Sequence, residues 1–261
     1  EVWSSAEGEQ NYLIGTPEGV ELAETPRFDP AENRIAVESE AALDAEGTLT
    51  GRLVITAKGV AEQRLRRELA QAVSARDRQS WFERIVGGIG PGATVEPVKV
   101  TYGELKDITK PLRFDVRYRI PRYALAGTGT LAFTPPLARH PFRSPSLAPY
   151  LEAADLDTRT QAVQLGVPRM IDGRERITLP PGFRALRLPK DRAIDGPVAA
   201  LTTALAASAQ GQGGRPTLTG TYRLTIKRRV VPVENSANFR DVGREVKALP
   251  EDLVVLEREG K

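Results

Sequence analysis

The 261-residue sequence contains no cysteine, one histidine and one methionine. The missing cysteine excludes thiol nucleophiles, disulfides, iron–sulfur clusters and cysteine-type zinc sites. The single histidine, His140, lies in the proline-bearing stretch "LARHPFRSP", which is more typical of a loop than of a catalytic base or a metal site. We therefore expect no metal and no cofactor in this chain.

Long apolar runs and a leader sequence are also missing. No stretch approaches the 18 or more apolar residues of a transmembrane helix, so the sequence predicts no membrane span. The chain opens at Glu1 in polar sequence without the apolar segment of a signal peptide. We expect Glu1 to be a cut or processed end.

Aromatic residues make up only 6% of the chain, and the charges are unevenly distributed. The net charge is +3, but the first fifty residues carry −10 and the rest +13. The basic residues are not interleaved with stacking aromatics, and no groove-reading motif occurs, so we expect no nucleic-acid binding. The asymmetry fits either solvated faces or two oppositely charged surfaces that dock.

Two segments have the alternating pattern of half-buried β-strands. Ile35 to Ile55 alternates on both sides of the turn "DAEG", which predicts a hairpin, since Asp favours the start of a turn and Gly its left-handed position. In residues 112–120, "LRFDVRYRI", the apolar residues face one way and Arg113, Asp115, Arg117 and Arg119 the other. This pattern predicts an antiparallel strand with one wet face.

The period changes to that of a helix after the first hairpin. Apolar residues recur every four positions from Ala61 to Val73, and a second piece begins near Asp77, a plausible N-cap, and ends at "GGIGPG". We predict a helical segment at 61–86, with Trp81 and Phe82 as anchors of the core. Two later stretches are less decided: "VAALTTALAAS" fits a short helix or a strand, and "NSANFRDVGREV" a short helical turn.

These patterns predict a mainly β (α+β) fold with two antiparallel β-rich lobes or sandwiches and one helical segment. A Pro- and Ser-bearing stretch between the halves is the best candidate for a boundary. The predicted parts are an extended entry segment at 1–34, a β-rich lobe with the helical segment at 35–140, a connection at 141–160 and an all-β lobe at 161–258.

Motifs that carry chemistry are scarce. "GGIGPG" and "GTGT" lack the context of a P-loop or a dinucleotide fingerprint, so they do not indicate a phosphate site. Asp155 with Asp157 and Glu38 with Glu40 could serve as carboxylate pairs for acid–base chemistry. Such i, i+2 spacing is also common on solvated strands, so an unrecognised carboxylate hydrolase remains only a third hypothesis.

A cluster of arginines surrounds the stretch "RITLPPGFRALRLP", whose two alternating strands joined at Pro-Pro-Gly predict a hairpin-like unit. A charged outer sheet face would account for the cluster, and so would a site for an acidic polymer or partner. Unpaired charges are costly to bury, so we expect these side chains to be exposed or paired within the chain. The candidate partner-binding residues are Arg174, Arg176, Arg184, Arg187 and Arg192.

The order of several motifs resembles the C-terminal region of large bacterial transglutaminase-like proteins. In the second half the resemblance is carried by "LGVP" after Arg159, by the element I-x-LP-x-G-F from Ile177 to Phe183, and by the closing "VP…FR". In the first half, "LIGTPEGVEL" resembles the stretch that leaves the catalytic core of that family, and "LDAEGTLTGRLVITAKG" with "LRREL" resembles the hairpin and helix that follow. The family often has a tyrosine shortly before "FR", where this chain has "VENSAN".

The resemblance implies a Gram-negative periplasm or cell envelope and a parent protein with a papain-like Cys-His-Asp core. This chain lacks the thiol that acyl transfer would use, so we expect it not to be an enzyme. The leading hypothesis is a non-catalytic accessory module that packs beside the catalytic core or guides access to it, and its partner would be that core or an anionic envelope polymer. The alternative is a stand-alone extracellular binding module for acidic glycans or peptides.

Overall fold

The computed structural model of the chain describes residues 7–72, 74–139, 152, 154, 158–209 and 215–259. His140, both members of the candidate pair Asp155 and Asp157, and most of the predicted connection lie outside these residues. Strands dominate the described part and helices are fewer, which confirms the prediction of a mainly β, α+β fold. None of the described helices has the length and apolar content that crossing a membrane needs.

The described residues form sixteen strands and five α-helices. The strands are β1 (Asn11–Thr16), β2 (Gly19–Glu24), β3 (Arg34–Leu43), β4 (Leu49–Ala57), β5 (Thr94–Val95), β6 (Leu112–Ile120), β7 (Leu125–Gly127), β8 (Thr130–Phe133), β9 (Val163–Gln164), β10 (Arg169–Thr178), β11 (Phe183–Arg187), β12 (Arg192–Asp195), β13 (Ala199–Ser208), β14 (Thr217–Ile226), β15 (Val230–Val231) and β16 (Val254–Arg258). The helices are α1 (Val60–Gln71), α2 (Ala75–Gly87), α3 (Tyr102–Lys106), α4 (Pro136–Arg139) and α5 (Ser236–Ala248).

The largest sheet has eight strands in the order β12-β13-β14-β10-β3-β4-β6-β5. Six of its seven neighbouring pairs are antiparallel, and the exception is the central pair of β3 and β10, which is parallel and sets Ile35 opposite Ile171. A smaller antiparallel sheet has the order β11-β16-β8-β7.

Both sheets combine strands from the two halves of the chain, which differs from the predicted division into two lobes. In the large sheet β3, β4, β5 and β6 come from the first half, and in the small sheet β7 and β8 do. The buried apolar residues of both halves also form one continuous cluster. The physical reason is the pairing of β3 with β10, which joins strands about 135 positions apart and leaves no local signal in the sequence.

One face of the large sheet is buried under helices. On α2, Phe82 is fully buried, and its ring lies 5.3 Å from that of Phe114 on β6 in an edge-to-face arrangement. Helix α1 packs against β3 and β4, and α5 packs against β13. Such contacts between rings stabilise a core by more than the apolar area they bury. The structure thus shows Phe82 in its predicted role as an anchor of the core.

The predicted helical segment is two helices, and the N-cap of the second lies three residues before the predicted N-cap, Asp77. Ser74 is the N-cap of α2: its Oγ accepts a hydrogen bond from the Asp77 backbone N–H at 3.0 Å. The Asp77 carboxylate accepts hydrogen bonds from the Ser74 hydroxyl at 2.7 Å and, completing a capping box, from the Ser74 backbone N–H at 3.1 Å, and these two bonds lower the pKa of Asp77.

Three further segments refine the sequence reading. The undecided stretch "VAALTTALAAS" contributes the ten-residue strand β13. The predicted short turn at "NSANFRDVGREV" is instead the thirteen-residue helix α5, whose buried face carries Phe239, Val242 and Val246. The entry segment is not merely extended, because β1 and β2 pair as a separate two-stranded hairpin.

Candidate binding surface

The other face of the large sheet carries outward-pointing polar side chains, and we call it the open face. It consists of the outward side chains of β3, β4, β6, β10 and β14. Because successive residues of a strand point to opposite faces, the strand sequences and their register assign its members. Its basic members are Arg34, Arg52, Arg113, Arg117, Arg119, Arg174, Arg176 and Arg223, and its acidic members are Glu38, Glu40, Asp115 and Asp172.

The acidic members lie between arginines. Glu38 is opposite Arg174 in the parallel pair of β3 and β10, and Glu40 is opposite Arg176. Opposite charges at facing positions stabilise a sheet by a few tenths of a kcal/mol to about 1 kcal/mol. The candidate carboxylate pair Glu38 and Glu40 therefore forms part of a charged ladder on an exposed face, not the two sides of a substrate cleft.

Three arginines of the open face are held by carboxylates. Arg52 donates two hydrogen bonds to Asp115, one of them from Nε at 2.7 Å, and these bonds lower the pKa of Asp115. Asp172, whose side chain is 7% exposed, accepts hydrogen bonds from Arg34 and from Arg223 Nε, the latter at 3.3 Å. These contacts fix the three arginines in place, so they are poorly placed to reach a partner.

Four other arginines of the open face are exposed, and their guanidinium groups make no hydrogen bond or ion pair with another described residue. They lie on two strands, β6 and β10. Threonine is the commonest uncharged residue at the outward positions of the face, mostly on β14, and no aromatic residue lies on the face. These four are Arg113, Arg117, Arg119 and Arg174, and the eighth arginine of the face, Arg176, is also exposed.

The five arginines predicted to bind a partner do not form one group. Strand β10 pairs with β14 and β3, whereas β11 pairs with β16, so "RITLPPGFRALRLP" turns a corner between two sheets and is not a hairpin. Arg174 and Arg176 lie on the open face. Arg184 and Arg187 lie on the edge strand of the small sheet, where Arg184 forms an ion pair with Glu257.

Arg192, which was predicted to bind a partner, instead makes contacts within the chain. Its side chain is only 16% exposed, and it donates from Nε to Glu245 at 2.5 Å and through two nitrogens to Asp252. These hydrogen bonds raise the pKa of Arg192, with Asp252 the larger cause. The contacts tie the edge strand β12 to α5 and to the segment before β16, which is an internal structural role.

A buried acid lies on the opposite face of the sheet and was missed by the sequence analysis. Glu175 on β10 is buried, and it accepts hydrogen bonds from the Tyr222 hydroxyl at 2.6 Å and from the Leu137 backbone N–H at 3.2 Å. Burial raises the pKa of Glu175 to about 7, although both hydrogen bonds lower it. The sequence contains a signal of this burial, because the alternation of β10 puts Glu175 on the same face as Ile171 and Ile177.

Tyr222, which binds this acid, also lines a pocket. The other residues that line the pocket include the polar Lys190, Thr203 and Asp252 and the apolar Ala138 and Leu249. The Glu175 carboxyl lies behind Tyr222 and is fully buried. The two hydrogen bonds therefore satisfy a buried carboxyl group.

Other sources of chemistry are equally sparse in the part of the chain that the structure describes. No three His, Cys, Asp or Glu side chains come together there in a group that could hold a metal ion. The open face is therefore the candidate functional surface. Its members Arg113, Arg117 and Arg119 are visible in the alternating sequence of β6 but were not among the predicted binding residues.

Comparisons with models of known families, with curated proteins and with solved structures find no match to this chain.

Proposed function

We propose that this chain is a non-catalytic accessory module of a transglutaminase-like bacterial envelope protein and that its open face binds the catalytic core. The observation that supports the proposal is a set of four exposed arginines on that face whose guanidinium groups make no hydrogen bond or ion pair within the described part of the chain: Arg113, Arg117, Arg119 and Arg174. Paired arginines beside them are already satisfied, so these four offer the free cationic groups. The envelope location and the parent protein rest on the sequence resemblance.

The charge pattern favours a folded protein over a uniformly anionic polymer. Glu38, Glu40, Asp115 and Asp172 are interleaved with the arginines, so the face is a mosaic and not a continuous positive groove. A polyanion would meet these carboxylates with repulsion, whereas a protein surface can set a charge of the right sign opposite each one.

The absence of aromatic residues from the open face points the same way. Proteins that hold single-stranded nucleic acid stack its bases on aromatic side chains, and the open face offers none for stacking. Threonines occupy most of the remaining outward positions and can donate and accept hydrogen bonds at the rim of a protein interface.

Reversing two charges on the open face should weaken binding to a separately produced transglutaminase-like core encoded with this chain. At about 0.05 M salt we expect Arg113→Glu/Arg119→Glu, which changes two arginines that lie opposite Thr56 and Thr50, to lower the affinity about tenfold, because two attractive contacts become repulsive. The difference should shrink above about 0.15 M salt, where the screening length is about 8 Å. Biolayer interferometry across a salt series measures both effects.

The matched control is Arg184→Glu/Arg187→Glu, which makes the same change in net charge on the edge of the small sheet. This variant should bind the core with nearly the affinity of the unchanged chain. Equal weakening by both double variants would reduce the effect to net charge and remove the open face as a site. Binding to dextran sulfate without binding to the core would favour the alternative module for acidic polymers.

A further inference from the structure

The hairpin of β1 and β2 exposes an apolar surface, and we call this hairpin the arm. Leu13 lies directly opposite Leu22, and Gly15 lies opposite Val20, so the three apolar side chains share one face. Their exposed fractions are 70% for Leu13, 66% for Leu22 and 71% for Val20. No other strand pairs with the arm among the described residues.

The base of the arm is fixed to the rest of the protein. The Glu9 carboxylate accepts hydrogen bonds from Arg27 Nε and from the Arg229 backbone N–H, both at 2.9 Å, and it also pairs with Arg228. The Thr25 hydroxyl accepts a hydrogen bond from the Gln10 N–H at 2.9 Å. The arm therefore projects from a defined point at its base, while its two strands remain exposed on both faces.

An exposed hairpin of this kind needs a partner. A two-stranded hairpin alone is at best marginally stable in water, and a third element that covers its apolar face is the usual remedy. Contiguous apolar surface at a projecting element marks a protein–protein contact. We propose that the arm packs against the catalytic core with Leu13, Val20 and Leu22 inward, a proposal that rests on the proposed function.

The charges of the arm define the chemistry of the surface that it would meet. Residues 7–26 contain five glutamates and no lysine or arginine. Glu24 lies on the same face as Leu22, Glu18 lies in the turn between the strands, and Glu21 lies on the other face, opposite Ile14. The complementary surface on the core is an apolar patch with a basic rim. An anionic lipid surface would repel these glutamates.

A second copy of this chain is a poorer match for the arm. Its basic surface is the open face, where the outward positions are mostly arginine, threonine and glutamate, so the three apolar side chains would find little apolar area there. The core is therefore the occupant to which the proposal commits, and self-association is an outcome of the test.

Removing the apolar side chains of the arm should weaken binding to the separately produced core. We expect Leu13→Ser/Leu22→Ser to lower the affinity about tenfold at both low and high salt, because the loss is of apolar contact and not of charge. The matched control is Leu125→Ser, which changes a leucine that is 75% exposed on β7 and should leave the affinity unchanged.

A second measurement does not depend on how the variants fold. Amide hydrogen exchange of the unchanged chain should slow in residues 11–24 when the core is added, since packing would suppress the opening of the hairpin. Unslowed exchange in a complex that forms would overturn the proposal. An arm variant that binds normally while Arg113→Glu/Arg119→Glu binds weakly would also overturn it and leave the proposed function standing.

The remaining outcomes separate the possible occupants. If the unchanged chain does not bind the core at all, the proposed function and the role of the arm both fail. If sedimentation velocity shows concentration-dependent self-association that Leu13→Ser/Leu22→Ser abolishes, the arm binds a second copy, and the assignment to the core is overturned.

Discussion

Replacing Glu175 with glutamine should stabilise the protein above pH 7 and leave its stability at pH 4 nearly unchanged. The pKa of Glu175 is about 7 in the folded protein, against an ordinary value of 4.5. A raised pKa means that the folded state holds the proton more tightly, so this group stabilises the fold fully below pH 4.5. The contribution is lost as the pH rises toward 7.

The size of the effect follows from the pKa difference. A shift of one unit corresponds to about 1.4 kcal/mol, so ionising this buried acid costs about 3 kcal/mol in full. Glutamine resembles the protonated acid, because its oxygen can accept from the Leu137 N–H and its amide can donate to the Tyr222 oxygen. The advantage of Glu175→Gln should therefore grow from near zero at pH 4 to about 3 kcal/mol at pH 8.

Urea unfolding of the two proteins at intervals from pH 4 to pH 8 measures this difference directly, since other titrating groups are common to both. Tyr222→Phe supplies a second test: it removes a hydrogen bond that lowers the pKa of Glu175, so the midpoint should move to higher pH. Glu40→Gln on the open face is the control at an exposed position. Curves for Glu175→Gln and the unchanged protein that run parallel across the range would contradict the prediction.

The alternating pattern of β10 indicates that Glu175 is buried, although its neighbours in the sequence suggest an exposed residue. In "MIDGRERIT" the two flanking arginines suggest a charged surface, yet alternation sends Glu175 to the opposite side from Arg174 and Arg176. A charged residue at an inward position of a strand is a signal of a buried site. Its partner Tyr222 lies on a neighbouring strand 47 residues later, and nothing local announces that contact.

Local patterns gave the elements of the fold, and long-range pairing decided its architecture. The turn at Asp44 to Gly47 formed as predicted, with the Thr48 N–H donating to the Asp44 carboxylate at 2.6 Å and Gly47 at φ +84°. The strand at 112–120 also has its predicted bounds. The parallel pairing of β3 with β10 depends on contacts between distant segments, so the sequence suggested two lobes where the strands form shared sheets.

Helix α5 is longer than the short helical turn that its sequence predicts. Its apolar residues recur at helical spacing, but Gly243 in the middle lowers helix propensity by about 1 kcal/mol. The structure shows why a glycine is there: a Cβ at this position would lie 2.5 Å from the Cβ of Ala154. A close packing contact that the sequence cannot display therefore outweighs the local propensity.

The sequence also could not show the contacts of Arg192, because they are with residues distant in the sequence. Replacing Arg192 should therefore change the stability of the protein and not its binding of a partner. The sequence grouped it with other arginines because they are neighbours along the chain. In the structure its partners are Glu245 on α5 and Asp252 before β16, which lie 53 and 60 residues away. Arg192, which was predicted to contact a binding partner, therefore links β12, α5 and the segment before β16.

We expect Arg192→Met to lower the free energy of unfolding by about 2 kcal/mol. Methionine keeps the length and apolar stem of the side chain but removes the charged hydrogen bonds, and it leaves Asp252, which is 21% exposed, without its cationic partner. Arg184→Met is the matched control, because the Arg184 side chain is 63% exposed and its pair with Glu257 should contribute less than about 1 kcal/mol.

Urea unfolding and binding to the core, measured on the same samples of Arg192→Met, separate the two roles of this arginine. Lower stability with unchanged affinity is the expected result, since the guanidinium group faces Glu245 and Asp252 and not a partner. A double-mutant cycle with Asp252→Asn should show coupling, because each single change already breaks the shared hydrogen bonds. Unchanged stability together with weakened binding would return Arg192 to the binding surface and contradict its assignment as an internal link.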